Sequence, residues 1–289
     1  KAQELYDCRG NLDECNPVCE RDSGVTCVTS RVAGVNSELY GEYLARIEAN
    51  EIVIPFVNQL ERIFRKMEDE KNYRSSGKVS VKRLTKSRVS TRIFTRHTDP
   101  GNKRDVAVFV LVDESGSMSG TNIENARKCT VLLAEAFAQL SIPIHVMGFS
   151  TRDTSRGCHE EVSHIHYLSW HNTLTERARL LQIRARSNNF DGYSVRYADK
   201  LLSKRPETHK LLIVISDGEP ACEYYRENGV ADTKNAVECC KHHVIGILIG
   251  SYGLENVYKI YGNRFANAPD SRTLFSVLAK KIEKEMKEW

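Results

Sequence analysis

Asp113, Ser115 and Ser117 stand in the segment Asp113-Glu114-Ser115-Gly116-Ser117-Met118, which follows directly on an apolar run from Val106 to Val112. A carboxylate with hydroxyls two and four residues on can aim three hard oxygens at one point, and Gly116 lets the chain fold tightly around it. Such a point suits Mg²⁺, and equally Mn²⁺ or Ca²⁺. A second acid, Asp217, stands in Ile215-Ser216-Asp217-Gly218-Glu219-Pro220, where another apolar run ends and a Gly/Pro loop opens. Either motif alone reads as a helix cap or a turn, because Asp and Ser cap helices and Asp-Gly turns chains. Two of them after two apolar runs, with the D-x-S-x-S spacing intact, point to one cation site.

The elements that must position these residues are legible as alternating apolar runs and helical patterns from residue 103 onward. That alternation signals an α/β fold: a doubly wound, mostly parallel central sheet flanked by helices, Rossmann-like, with a small helical and extended region before it. Strands are expected near Val106–Val112, Ile144–Phe149, Ile165–Leu168, Leu211–Ser216 and Val244–Ile249. Helices are expected over Asn122–Leu140, Glu176–Arg186, Val195–Leu202, Thr233–His242 and Leu274–Lys287. In a parallel sheet the loops converge at the carboxyl edge, so the two acids should meet there. Upstream, residues 1–36 read as a Cys-bearing irregular segment with little core. Residues 37–102 read as a helical region, broken at Pro55, followed by a basic extended arm that ends in Asp99-Pro100-Gly101-Asn102. Residues 103–289 form the main domain.

The 289 residues carry 42 Lys and Arg against 38 Asp and Glu, a net +4 that excludes no class by itself. Its distribution is uneven: Lys71 to Thr98 holds nine basic residues and no acid, so the rest of the chain is net negative by five. Beyond Tyr73 and Phe94 this run lacks interleaved aromatics, which argues against nucleic acid and for a structural arm or an acidic partner's docking surface. No apolar run approaches the roughly 18–20 residues a membrane-spanning helix needs. The chain opens on Lys1, as expected of a trimmed sequence, so the lack of a targeting peptide carries no weight. Nine cysteines, odd in number and scattered, favour reduced thiols and a cytoplasmic protein. Cys8, Cys15, Cys19 and Cys27 lack the paired knuckles of a zinc ribbon and could be unlinked thiols, a disulfide pair or a metal site.

On D-x-S-x-S and the later S-D-G, the sequence resembles the von Willebrand factor A (VWA) domains with their metal-ion-dependent adhesion site. Asp113, Ser115 and Ser117 match that motif position by position, and Asp217 matches the family's later aspartate. The remaining ligand is usually a threonine; the corresponding loop, Asn188-Asn189-Phe190-Asp191-Gly192-Tyr193-Ser194, sets Asp191 in its place. The third-loop Asp-Gly, the segment Ile213–Pro220 and an arm like Gly77 to Phe94 look like the C-terminal VWA region of CobT-like cobaltochelatase subunits. Similar domains accompany nitric oxide reductase activation proteins. The resemblance spans about Gly77 to Trp289, and the long acidic segment of CobT proteins is absent from it.

What the resemblance implies is a bacterial, cytoplasmic, non-catalytic subunit of cobalamin biosynthesis or of a related assembly system, working with a MoxR-type AAA+ ATPase. The protein would leave one coordination position of the cation open, and a partner's Glu or Asp would complete it. A cell-surface adhesion module is the alternative among binding proteins, and a metal-dependent phosphohydrolase the rival among enzymes. Haloacid-dehalogenase chemistry needs a second Asp where Ser115 stands, no P-loop is present, and Met118 occupies the centre of the only elbow-like segment, so no catalytic residue is assigned. His159, His164, His166 and His171 with Cys158 read as packed or exposed histidines on a short edge strand, a soft-metal site being the other reading.

Overall fold

Val106–Asp113 is an unbroken apolar run closed by an acid, and every one of its residues is buried, as a strand covered on both faces of a parallel sheet requires. In the computed structural model, which describes residues 6–7, 26–74, 78–79, 94–95, 105–152, 161–220, 229–250, 252–267 and 270–286, this strand lies inside an eight-stranded sheet. In chain order the strands are β1 (Tyr6–Asp7), β2 (Thr26–Arg31), β3 (Tyr73–Arg74), β4 (Lys78–Val79), β5 (Phe94–Thr95), β6 (Val106–Asp113), β7 (Ile144–Arg152), β8 (Glu161–Leu168), β9 (His209–Ser216), β10 (His243–Leu248) and β11 (Phe265–Ala266). The large sheet has the order β1-β2-β8-β7-β6-β9-β10-β11, and β3, β5 and β4 form a separate antiparallel sheet. Strands β7, β6, β9, β10 and β11 run parallel, while β8 pairs antiparallel with β7. The sheet is therefore mostly parallel, as read from the sequence.

The helices are α1 (Ser37–Arg46), α2 (Ala49–Asn72), α3 (Thr121–Gln139), α4 (Leu174–Arg177), α5 (Asp191–Ser203), α6 (Gly229–Cys239), α7 (Leu254–Tyr261) and α8 (Ser271–Met286). Alternation along β6 divides the core: Val106, Val108, Val110 and Val112 pack with α2, α3 and α8, whereas Ala107, Phe109 and Leu111 pack with α5, α6 and α7. Each side chain set points to its own face because strand residues alternate.

Three expectations require correction. Residues 1–36 are not irregular throughout: Thr26–Arg31 is a strand, β2, that joins the sheet parallel to β8, with Cys27 buried. Pro55 does not split the helical region, because α2 runs through it. Its ring removes one hydrogen bond to the preceding turn, but Ile52, Val53, Phe56, Leu60, Ile63 and Phe64 are buried along one stripe and hold the helix together. That burial also places α2 in the same core as the sheet. Finally, Glu176–Arg186 is not one helix: α4 ends at Arg177 and a tight turn follows over Ala178–Gln182. Most of the basic arm, the Asp99–Asn102 boundary, and Cys8, Cys15, Cys19, Cys158, Cys222 and His159 lie outside the described residues.

Candidate metal centre

Asp113 closes β6, Asp217 follows the last residue of β9, and Asp191 opens α5. All three carboxylates are buried. Each strand is parallel to its neighbour, so both strand-end acids emerge at one edge, and α5 delivers the third. Asp113 and Ser115 are also joined locally: the Ser115 backbone N–H donates to Asp113 Oδ1 at 2.8 Å. This closes the turn and brings the Ser115 and Ser117 hydroxyls within 3.0 Å of each other. On the other loop, the Glu219 N–H donates to Asp217 Oδ1 at 3.1 Å.

The electrostatics of this edge are adverse without a counter-charge. Burial, then the neighbouring Asp217 carboxylate, pushes Asp113 up to about 7. Burial, then the Asp113 and Asp217 charges, pushes Asp191 well above the usual carboxylate range. Asp191 Oδ2 is buried with no hydrogen-bond partner. A buried, unpartnered carboxylate oxygen beside two more acids is a costly arrangement that a bound cation would relieve. Among the described residues no group of three or more His, Cys, Asp and Glu side chains is placed to hold a metal by itself. A hard cation here would draw on the serine hydroxyls as well as the acids, and that mixed oxygen set fits Mg²⁺, Mn²⁺ or Ca²⁺.

Three groups hold these residues in place. Asn189 is fully buried, and its Nδ2 donates to Asp113 Oδ2 at 3.4 Å and to the Glu219 carbonyl at 3.1 Å, tying the third loop to both acid loops. Glu114 turns away from the acids into the core, where Tyr167 donates to Oε1 and Arg186 Nε to Oε2, each at 2.5 Å. The same loop is stitched by Arg186 N–H to the Glu114 carbonyl and Gly116 N–H to the Ser187 carbonyl, both at 2.6 Å. Ser150 Oγ donates to the Asn188 carbonyl at 3.1 Å, which gives the end of β7 its part in shaping the edge.

The third group lies behind α5. His164 is fully buried, with Nδ1 3.4 Å from Cys27 Sγ and Nε2 3.0 Å from Ser194 Oγ in the first turn of α5. His166 instead meets His145, at 2.9 Å. Burial drives His164 down to about 3 and His166 to about 4, so both are neutral packing groups at neutral pH. His164 and His166 are packed and His171 is exposed, but the strand of the first two is not a short edge strand: β8 runs over Glu161–Leu168 between β2 and β7. No spacing signal could have announced Asn189 or Glu114, because their partners are 30 to 76 residues away.

Two glycines show how tightly the edge is built. A Cβ on Gly192 would sit 1.9 Å from Asp232 Oδ2, so only glycine lets Asp232 and its partner Arg196 close over the start of α5. Gly253 has φ +73°, and a Cβ there would lie 2.1 Å from the Asp217 carbonyl oxygen. The start of α7 thus rests directly on the Asp217 loop.

A mostly parallel sheet covered on both faces, with D-x-S-x-S after its central strand and a second acid one strand over, defines a VWA domain. The chain belongs to the family described as the cobalamin biosynthesis protein CobT VWA domain, whose profile matches residues 93–245. An uncharacterized protein, YojO of Bacillus subtilis (strain 168), is 30% identical over 209 residues, covering 67% of this chain and 32% of its own length. The chain spans about a third of that relative. Among solved structures, the PilB minor pilin from Streptococcus sanguinis aligns with a TM-score of 0.51 and 15% identity, over 68% of this chain and 64% of that one. Its D319A mutant aligns with a TM-score of 0.50 and 16% identity, over 67% and 64%. At these identities the likeness is one of fold.

Proposed function

We propose that this chain is a non-catalytic, divalent-metal-dependent protein-interaction module, a CobT-like subunit acting with a MoxR-type AAA+ ATPase in metal chelation or protein assembly. The observation that carries the reading is the buried acid set of Asp113, Asp191 and Asp217 with its unpartnered Asp191 Oδ2 at the carboxyl edge of the sheet. Asp113, Asp191 and Asp217 with Ser115 and Ser117 would hold Mg²⁺, or Mn²⁺ or Ca²⁺. A bound cation supplies positive charge at a surface that otherwise repels carboxylates, so a partner's Glu or Asp becomes attractive only in its presence.

The residues of the chain do the rest. Asn189 holds the three loops in one arrangement, and Gly253 and Gly192 set the spacing of Asp217 and Asp191. No helix of the described residues is long and apolar enough to cross a membrane. Cys129, Cys239 and Cys240 carry free thiols, which suits a reducing, cytoplasmic setting. A surface adhesion role is the second reading, favoured by the fold shared with a minor pilin.

Affinity capture of the tagged protein from its source, in Mg²⁺ or in EDTA, separates the readings. Recovery of an AAA+ ATPase only with Mg²⁺, and its loss with Asp113→Ala, is the expected result. The same partners with EDTA and with the variant would overturn metal-bridged docking.

A further inference from the structure

Six large hydrophobic side chains are well exposed among the described residues, and three of them fall within seven positions: Tyr252 at 82%, Leu254 at 49% and Tyr258 at 58%. Leu254 and Tyr258 are four apart on α7 and share one stripe, while Val257, Ile260 and Tyr261 on the same helix are buried. The fold uses the inner stripe and leaves the outer one in water.

Their position is what makes the exposure informative. Tyr252 and Leu254 flank Gly253, the residue whose added Cβ would meet the Asp217 carbonyl at 2.1 Å and the Gly218 carbonyl carbon at 3.1 Å. From the other side, a Cβ on Gly218 would meet Val257 Cγ2 at 2.4 Å. The start of α7 and the acid loop are therefore in backbone contact, which sets Tyr252 and Leu254, on either side of Gly253, beside that loop. Exposed apolar clusters rimmed by polar groups mark interaction sites. The profile match ends at residue 245, so α7 lies outside the part of the chain that the family describes.

We propose that Tyr252, Leu254 and Tyr258 form the apolar half of the docking surface, and that it takes a polypeptide segment carrying a carboxylate with an aliphatic or aromatic side chain within a few residues of it. The proposal rests on the metal-dependent reading above. Charge decides the first half of the occupant: three buried acids repel a carboxylate unless a cation lies between them. The stripe decides the second half, because Leu254 to Tyr258 extends a helical turn, about 5.4 Å, along α7. A surface reaching from the acid loop along that turn is filled by several linked residues rather than by a single carboxylate.

The test uses two synthetic peptides of twelve residues, each with one central Glu. In one the Glu lies among Ser and Gly; in the other Leu and Phe stand on both sides of it. Binding is read by fluorescence anisotropy in Mg²⁺ and in EDTA, and Mg²⁺ affinity is read separately by calorimetry. In Mg²⁺ the Leu/Phe peptide is expected to bind at least tenfold more tightly than the Ser/Gly one. The double variant Tyr252→Ser, Tyr258→Ser is expected to erase that preference and leave Mg²⁺ affinity unchanged. Equal binding of the two peptides, no binding of either while Mg²⁺ binds, or a preference that survives in the double variant overturns the proposal and leaves the metal site standing. Failure of the wild type to bind Mg²⁺ overturns the metal reading itself, and a peptide preference persisting in EDTA would show that the two halves are not one surface.

Discussion

Asp191 is the residue at which the account is most exposed to test. Its Oδ2 is buried without a partner, and burial with the Asp113 and Asp217 charges holds it far from its ordinary titration range. Removing its charge should relieve repulsion in the metal-free protein. Asp191→Asn is therefore predicted to be more stable than wild type in EDTA at neutral pH, by on the order of 1–3 kcal/mol in denaturant unfolding, and to lose the stabilisation that Mg²⁺ gives. His164 offers an independent check on the core behind α5. Burial lowers it to about 3, below the value near 6.5 of the unfolded chain. The unfolded chain binds the proton first as pH falls, so the stability of the neutral, buried form is full above 6.5 and drains away toward 3. The gap in stability between wild type and His164→Asn is predicted to narrow by about 2 kcal/mol between pH 7.5 and pH 5. A constant gap would mean that His164 is not held neutral.

The elements were legible where their periodicity was undiluted. β6 and β9 were found as apolar runs, and the D-x-S-x-S and S-D-G segments at their ends gave the acid pair. β2 escaped because Thr26-Cys-Val-Thr-Ser-Arg31 is short and polar, and its strand character comes from β8, whose edge it covers across more than a hundred residues of chain. α7 escaped for a different reason: its eight residues carry both a buried and an exposed apolar stripe, which blurs the pattern. Yet α7 carries the element-scale constraint on the site. Gly253 combines a positive φ with a Cβ position 2.1 Å from the Asp217 carbonyl. Gly253→Ala is predicted to cost about 1–3 kcal/mol and, by displacing the Asp217 loop, to weaken Mg²⁺ binding more than a surface substitution on α7 does. Denaturant unfolding and calorimetry on the same samples would check both; an unchanged Mg²⁺ affinity would detach α7 from the metal centre.

For the whole molecule, the sheet sets one face apart. Parallel strands bring Asp113 and Asp217 to the same edge, α5 adds Asp191, and α7 adds an apolar border, while the helices on both sides bury the rest of the apolar surface. The acid pair was visible in the sequence because each member sits beside its own strand. The supports, Asn189 between Asp113 and the Glu219 carbonyl and Glu114 between Tyr167 and Arg186, were not, because each is defined by partners the fold brings from far along the chain. The proposed function requires that this edge take up a cation. The most direct measurement is calorimetric titration of Mg²⁺ into metal-stripped protein, with Asp217→Ala alongside. A single saturable site in the wild type, lost in the variant, is the predicted result; no binding to the wild type, or equal binding to the variant, would contradict the account.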